Sequence, residues 1–191
     1  MSIQELDPAF VKRDAARKAG LPVEIARTKR LLIRETILED VPKLYQLWQE
    51  PSVKRYVQPM QPTLEEEIAY MAAYIRHAYA FYDFGLWTVL EEDSGQVVGR
   101  IGLSVSEHLK EAVELGYLIG TAYQRKGYAK EAGQAVLHYA KEVLDLSEMH
   151  LLSDPENIAS CKTAAAIGFT ECEEIYIQHR KITHMIWEGN K

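Results

Sequence analysis

Three extended segments follow one another in the middle of the chain with no helix between them. They cover Leu86–Glu91, Gln96–Ser104 and Glu111–Ile119, and the turn sequence DSG at 93–95 joins the first two. Short connections of this kind join antiparallel neighbours, because parallel neighbours need a long crossover. Helices and strands are mixed on both sides of this block. The sequence therefore predicts an α+β fold rather than the regular alternation of a doubly wound sheet.

Hydrophobic spacing and capping residues predict the remaining elements. Further strands are expected at Lys29–Glu35, Met149–Ser153, Thr170–Gln178 and Lys181–Glu188. Helices are expected from Asp7 to Gly20, after Asp40, from Leu64 to Tyr82, from Gly127 onward, and from Asp154 to Gly168. The first helix has a thin apolar face. We interpret residues 1–26 as a helical extension that packs on the body or on a partner, followed by one domain at 27–191.

Composition excludes several classes of partner. The chain holds 22 Lys and Arg residues against 28 Asp and Glu residues, a formal charge of −6, which disfavours nucleic acid and anionic membranes. The longest apolar run, Ile68–Ile75, is too short to span a bilayer, and no secretory leader is expected. The two cysteines, Cys161 and Cys172, form no metal-binding pattern and favour a reducing cytoplasm. Either a monomer or a homodimer fits these observations.

The segment Gln124–Lys130, QRKGYAK, opens the long helix that begins at Gly127. First-turn N–H groups of a helix have no partner within it, and the helix dipole adds positive charge there. Gly127 lets a phosphate oxygen approach the backbone, and Arg125 and Lys126 add charge. The pattern predicts a pyrophosphate site, although an ordinary surface helix after a glycine loop remains the alternative. It matches neither the P-loop nor the dinucleotide fingerprint.

A second motif opens the last predicted helix. Asn157 and Ser160 lie one turn apart and share a helix face, and Gly168-Phe169 marks the turn into the next strand. The alternative is that both are ordinary polar residues of a first turn.

Taken together, the two motifs resemble the GNAT N-acetyltransferase superfamily. Its Q/R-x-x-G-x-G/A pyrophosphate motif matches Gln124–Ala129, and its N-x-x-S…G-F segment matches Asn157 to Phe169. The strand Arg30–Arg34 and the downstream Glu39-Asp40 resemble the branch of ribosomal-protein N-terminal acetyltransferases (RimJ/RimL-like). The resemblance covers about Arg27 to Glu188.

The resemblance implies a mixed, mostly antiparallel sheet, splayed between Glu111–Ile119 and Met149–Ser153 and flanked by helices. Acetyl-CoA would lie in the splay as co-substrate, with no metal. The resemblance implies that residues at the end of the strand Glu111–Ile119, in the segment Gln124–Lys130 and in the second motif bind it. The strand residues would do so through backbone groups. The full set is Tyr117, Leu118, Ile119, Gln124, Arg125, Lys126, Gly127, Tyr128, Ala129, Lys130, Asn157 and Ser160.

The resemblance also implies the catalytic groups. Glu114 would take the proton of the amine, since a carboxylate near the sheet centre has its pKa raised by burial; a solvent-facing glutamate is the alternative. Many relatives carry a tyrosine where this chain has Ala164, so Ser160 would instead assist the leaving thiolate. The acceptor would be a protein N-terminal α-amine or a small-molecule amine, acetylated directly in a ternary complex. A non-catalytic acyl-CoA-binding module is the rival interpretation.

The acceptor site is expected between three segments: the loop 50–63, the helix after it and the turn at 179–181. Tyr56, Tyr82 and Trp87 are the candidate aromatic residues for its wall.

Overall fold

A single sheet of eight strands organises the computed structural model, which describes residues 8–189. The strands are β1 (Glu24–Arg27), β2 (Leu31–Glu35), β3 (Leu86–Glu91), β4 (Val97–Val105), β5 (Val113–Ile119), β6 (Glu148–Ser153), β7 (Thr170–Ile177) and β8 (Arg180–Glu188). Their order is β1-β2-β3-β4-β5-β6-β8-β7, and every neighbouring pair except β5 and β6 is antiparallel. The predicted α+β fold with a mostly antiparallel sheet is confirmed.

Helices cover both faces of this sheet. They are α1 (Pro8–Lys18), α2 (Val41–Gln49), α3 (Pro51–Lys54), α4 (Leu64–Tyr82), α5 (Tyr128–Glu142) and α6 (Ile158–Ala166). The larger apolar core lies between the sheet and α5, where Ala132 and Val136 are fully buried. A smaller core joins Leu44 and Leu47 of α2 to Leu118 of β5. Opposite faces of β5 therefore belong to different cores, as the alternation of a strand requires.

Three elements differ from the sequence-based expectations. The segments β1 and α3 were not predicted, because four residues are too few to show a period. The last helix begins at Ile158 rather than at Asp154, since the side chain of Asn157 accepts the N–H of Ser160 at 3.2 Å and caps it. Asp154 instead accepts the N–H of Glu156 at 2.9 Å in the preceding turn. The expected cap at Asp7 lies outside the described residues.

The sheet opens between its two central strands. β4 and β5 pair at seven positions, from Gly99 with Ile119 to Val105 with Val113. β5 and the parallel β6 pair only where Glu114 lies beside His150. The last five residues of β5 therefore have no strand partner on the β6 side. The splay that the family resemblance implies is present.

Buried ion pairs hold α1 against the body. Arg13 donates from Nε to Asp83 at 3.0 Å, and Arg17 donates to Asp83 and to Glu35 at 2.8 Å each. Glu35 is only 4% exposed, and burial raises the pKa of its carboxyl despite the pairing with Arg17. Ion pairs therefore hold α1 against the body, because its apolar face is small. The strand β1 straddles the boundary expected between residues 26 and 27 and pairs with β2.

Replacing Arg17 by Met should destabilise the protein. Glu35 would stay buried but would lose the guanidinium of Arg17. Its remaining hydrogen-bond donor would be the backbone N–H of Val23, at 3.4 Å. Removing one partner of a buried ion pair costs about 3–5 kcal/mol, and we expect a loss near the lower figure in urea denaturation. Lys18→Met is the matched control on the same helix, because Lys18 pairs with Asp14 at the surface. It should change the unfolding free energy by less than about 0.5 kcal/mol, and equal effects of both variants would contradict the argument.

Candidate active site

Two cavities, of about 460 Å³ and 580 Å³, meet where β5 and β6 diverge. Six residues line both of them: Tyr56, Val57, Tyr117, Leu118, Asn157 and Ser160. The cavities are therefore the two ends of one groove that passes through the splayed sheet.

The larger cavity extends from the end of β5 to the start of α5. Gly127 is the N-cap of α5 with φ +80°, and no side chain caps the helix there. Arg125 also adopts a positive φ of 60°, so the loop turns its backbone sharply before the helix. A methyl group added at Gly127 would approach only the guanidinium of Arg30, at 3.6 Å. First-turn N–H groups without a side-chain cap, beside basic residues, fit a pyrophosphate.

Every residue expected to bind the cofactor lines this cavity except Lys126. The ammonium of Lys126 lies over the rings of Tyr123 and Tyr128, 5.3 and 6.0 Å from their centroids. Gln124 has a structural contact that the motif does not reveal: its Nε2 donates to the carbonyl of Ile119 at 2.9 Å and ties the loop to β5. Tyr128 donates its hydroxyl to Glu91 at 2.6 Å and anchors the start of α5.

Tyr117 and Ser160 meet across the splay. The hydroxyl of Tyr117 donates to the carbonyl of Ser160 at 3.1 Å and lies 3.3 Å from its Oγ. Burial raises the pKa of the Tyr117 phenol, so this group stays protonated at neutral pH. The sequence-based prediction gave Tyr117 only a backbone role. Its side chain supplies a phenol beside Ser160, while Ala164 is fully buried.

Glu114 lies on the face of β5 that also carries Gly116 and Leu118, two residues that line the smaller cavity. Its carboxylate is half-buried and accepts a hydrogen bond from the hydroxyl of Ser106. Glu114 itself does not line either cavity, although its cross-strand neighbour Ser104 lines the smaller one. A water molecule would therefore be needed to connect this carboxylate to the groove.

The smaller cavity is enclosed by the segment 56–61, by α4 and by the middle of β4 and β5. Tyr56 lines it as predicted, but Trp87 and Tyr82 do not. Trp87 is fully buried in the larger core, edge-on to Tyr139 at 5.6 Å. Tyr82, at the exposed end of α4, contacts Phe84. No residue of the turn 179–181 lines it either.

Sequence reasoning missed three charged residues of this cavity. Arg100 and Glu67 are buried, at 6% and 3% exposure, and Asp154 is half-buried. A signal for Arg100 was available, because it is the one charged residue in the apolar strand VVGRIGLSV. The isolated position of an arginine among residues that fill a core is unusual.

The comparisons with known proteins agree with this geometry. A family model described as an acetyltransferase (GNAT) domain matches residues 30–170. The chain belongs to the GNAT acetyltransferase family. The family resemblance seen in the sequence rested on two motifs and one strand, and the match over most of the chain confirms it. The protein is an acetyl-CoA-dependent acetyltransferase.

The acetyltransferase has relatives of similar length. It is 30% identical over 143 residues to the uncharacterised N-acetyltransferase YnaD of Bacillus subtilis (strain 168), covering 74% of this chain and 79% of that one. Solved structures with the same fold include a ribosomal-protein-S5-alanine acetyltransferase from Vibrio fischeri, with a TM-score of 0.70 and 16% identity, covering 88% of this chain and 98% of that one. Another is a spermidine N-acetyltransferase from Vibrio cholerae in complex with CoA and spermine, with a TM-score of 0.72 and 17% identity, covering 86% and 98%.

Among residues 8–189 of the acetyltransferase, each helix is too short or too polar to span a bilayer. Within the same range, no group of three or more His, Cys, Asp or Glu side chains is arranged to hold a metal ion.

A pair of histidines lies beside Glu114 in the acetyltransferase. His150 of β6 and His184 of β8 stack, with Nδ1 of His150 2.9 Å from Nε2 of His184. His150 Nε2 lies 3.0 Å from a carboxylate oxygen of Glu148. Burial and the neighbouring His150 lower the pKa of His184 below 6.5. The unfolded chain therefore binds a proton at His184 at a higher pH than the folded protein does.

The free energy of unfolding should consequently fall as the pH is lowered through 6.5 toward the depressed pKa of His184. Urea denaturation between about pH 7.5 and 5 measures this, and His184→Asn should flatten the decline. His108→Asn is the control, since His108 is exposed in the loop before β5. An unchanged slope in the His184 variant would show that other groups cause the pH dependence.

Proposed function

We propose that this enzyme transfers the acetyl group of acetyl-CoA directly to a primary amine while both substrates are bound. The observation that carries the proposal is the single groove whose two ends meet at Tyr117, Leu118 and Ser160. A groove open at both ends lets an amine approach a thioester from the opposite side of the sheet. The named activities of the fold neighbours, on spermidine and on a ribosomal protein, are both acetyl transfers to amines. The free thiols of Cys161 and Cys172 fit a cytoplasmic enzyme.

We assign the larger cavity to the cofactor. The open side of Tyr117, Leu118 and Ile119 would hold the pantetheine by backbone hydrogen bonds, as an added strand would. The start of α5 at Gly127 would hold the pyrophosphate, with Arg125 and Lys130 lining the same cavity. Lys126 would contribute through its positive field only.

Three side chains would then take part in the reaction. Bound acetyl-CoA supplies a thioester whose carbonyl carbon gains a C–N bond and loses its C–S bond. Glu114, through a water molecule, would take the proton that the amine loses. Ser160 would donate a hydrogen bond to the departing thiolate, and the Tyr117 hydroxyl would hold Ser160 in position. A backbone N–H of β5 near Leu118 would stabilise the oxyanion.

The activity is tested by release of free thiol from acetyl-CoA with a panel of amines and N-terminal peptides. We expect thiol release that depends on an amine, with an equal amount of acetylated amine detected by mass spectrometry. Tight CoA binding without turnover for any amine would support the alternative, a non-catalytic acyl-CoA-binding module.

Glu114→Gln should lower kcat/KM by roughly 100-fold and abolish its rise toward alkaline pH, because the variant has no base at this position. The pH–rate profile at saturating acetyl-CoA provides the measurement. Glu107→Gln, an exposed glutamate in the adjacent loop, should keep the wild-type profile. If the Glu114 variant also kept it, the carboxylate would have no part in proton transfer.

Ser160→Ala should lower kcat by roughly 10- to 100-fold, the worth of a hydrogen bond to a charged group, with little change in the KM for acetyl-CoA. Tyr117→Phe should have a smaller effect on kcat. If Tyr117 acts through Ser160, the double variant should be no slower than Ser160→Ala alone. Effects that multiply would instead give Tyr117 an independent role.

A further inference from the structure

Arg100 places a positive charge in the smaller cavity and forms no ion pair with any residue of 8–189. It lies in the middle of β4, is 6% exposed and lines the cavity. Its Nε is buried and has no hydrogen-bond partner among residues 8–189. One terminal nitrogen lies 3.5 Å from the sulfur of Met71, and the guanidinium carbon lies 6.0 and 5.7 Å from the ring centroids of Trp48 and Tyr74.

The other buried arginines of the described chain do not share this arrangement. Arg13 and Arg17 pair with carboxylates at α1, and Arg34 pairs with Asp40 at 2.6 Å. An arginine cannot lose its proton at physiological pH, so burial without an anion carries the full cost of desolvation. The contacts of the guanidinium with the sulfur of Met71 and the rings of Trp48 and Tyr74 offset only part of that desolvation cost.

Two carboxylates, Glu67 and Asp154, line the cavity together with Arg100, and neither forms an ion pair with the guanidinium in the described structure. One oxygen of Glu67 accepts the backbone N–H of Gln61 at 3.0 Å. Asp154 pairs with Arg180 at 2.8 Å. The cavity therefore offers a cation without an ion pair, and both of its carboxylates have other partners.

We propose that the acceptor is a small primary amine that carries a carboxylate, such as a free amino acid, and that Arg100 binds this carboxylate. The inference rests on the proposed function, in which this cavity takes the acceptor. The planar guanidinium suits a carboxylate, which it can bind through two parallel hydrogen bonds.

Arg100 lies on the same face of the sheet as the proposed oxyanion position. Arg100 and Leu118 are direct partners across β4 and β5, so both side chains leave the sheet on one face, and both line the smaller cavity. A carboxylate bound to Arg100 would therefore share this cavity with the amine that attacks near Leu118.

Matched pairs of amines test the proposal in the wild-type enzyme. Phenylalanine is compared with phenethylamine, leucine with isopentylamine, and each amino acid with its amide; spermidine completes the panel. We expect kcat/KM for the better amino acid to exceed that of its decarboxylated partner by about 100-fold, because the site's buried charge would be left unpaired by the amine alone. A preference for spermidine or for the partners that lack a carboxylate would overturn the inference while leaving the acetyltransferase activity intact.

The variant Arg100→Met separates recognition from structure. It should abolish the preference, because the KM for the amino acid should rise far more than the KM for phenethylamine. The melting temperature should stay equal or rise, because an apolar side chain replaces an uncompensated buried charge. Arg76→Met, an exposed arginine on α4, is the control and should keep the preference. A retained preference in the Arg100 variant would overturn the assignment.

Binding of the products keeps the inference testable without turnover. Isothermal titration of the wild-type protein, in the presence of CoA, should detect N-acetylphenylalanine at least tenfold more tightly than N-acetylphenethylamine. Arg100→Met should lose that difference. Equal binding of both by the wild-type protein would overturn the inference, whereas absence of thiol release alone would overturn only the proposed function.

Discussion

The divergence of β5 and β6 is the constraint on which the site depends. Two central strands joined at one position leave backbone N–H and C=O groups that need other partners, because buried peptide groups are rarely left unpaired. α5 begins directly beyond the open end of β5, so the N-terminus of a long helix and a free strand edge face the same groove. The proposed cofactor site and the proposed site of acetyl transfer therefore both depend on the separation of β5 and β6.

Much of the fold could be predicted from local pattern, since the responsible forces act over a few residues. The turn at 93–95 fixes an antiparallel pair, and the capping box of Thr63 and Glu66 fixes the start of α4. Gly127 could be predicted as the start of α5 because its left-handed backbone favours glycine. Short elements such as β1 and α3 could not, since their conformation comes from the neighbours that they pack against.

The side chains of the site were less predictable, because burial and pairing are properties of the folded chain. A lysine next to Gly127 suggests a phosphate contact, yet the ammonium of Lys126 lies over the rings of Tyr123 and Tyr128. Trp87 suggests a substrate wall, yet it fills the core. Motif knowledge assigns Tyr117 a backbone role, and only the crossing of β5 and α6 reveals its hydroxyl beside Ser160. The motif locates the groove, and tertiary packing decides which side chains enter it.

The arginines of α1 also determine the pH range in which this fold is favoured. Arg13 and Arg17 are the partners of Asp83 and Glu35 in the described structure, and burial already raises the pKa of Glu35 with them present. Without the helix, a buried carboxyl with a raised pKa would take up a proton when the chain folds. Folding would then be favoured by acid and opposed at neutral pH. The basic helix before the sheet therefore supplies the counter-ions of two carboxylates that belong to an acidic domain.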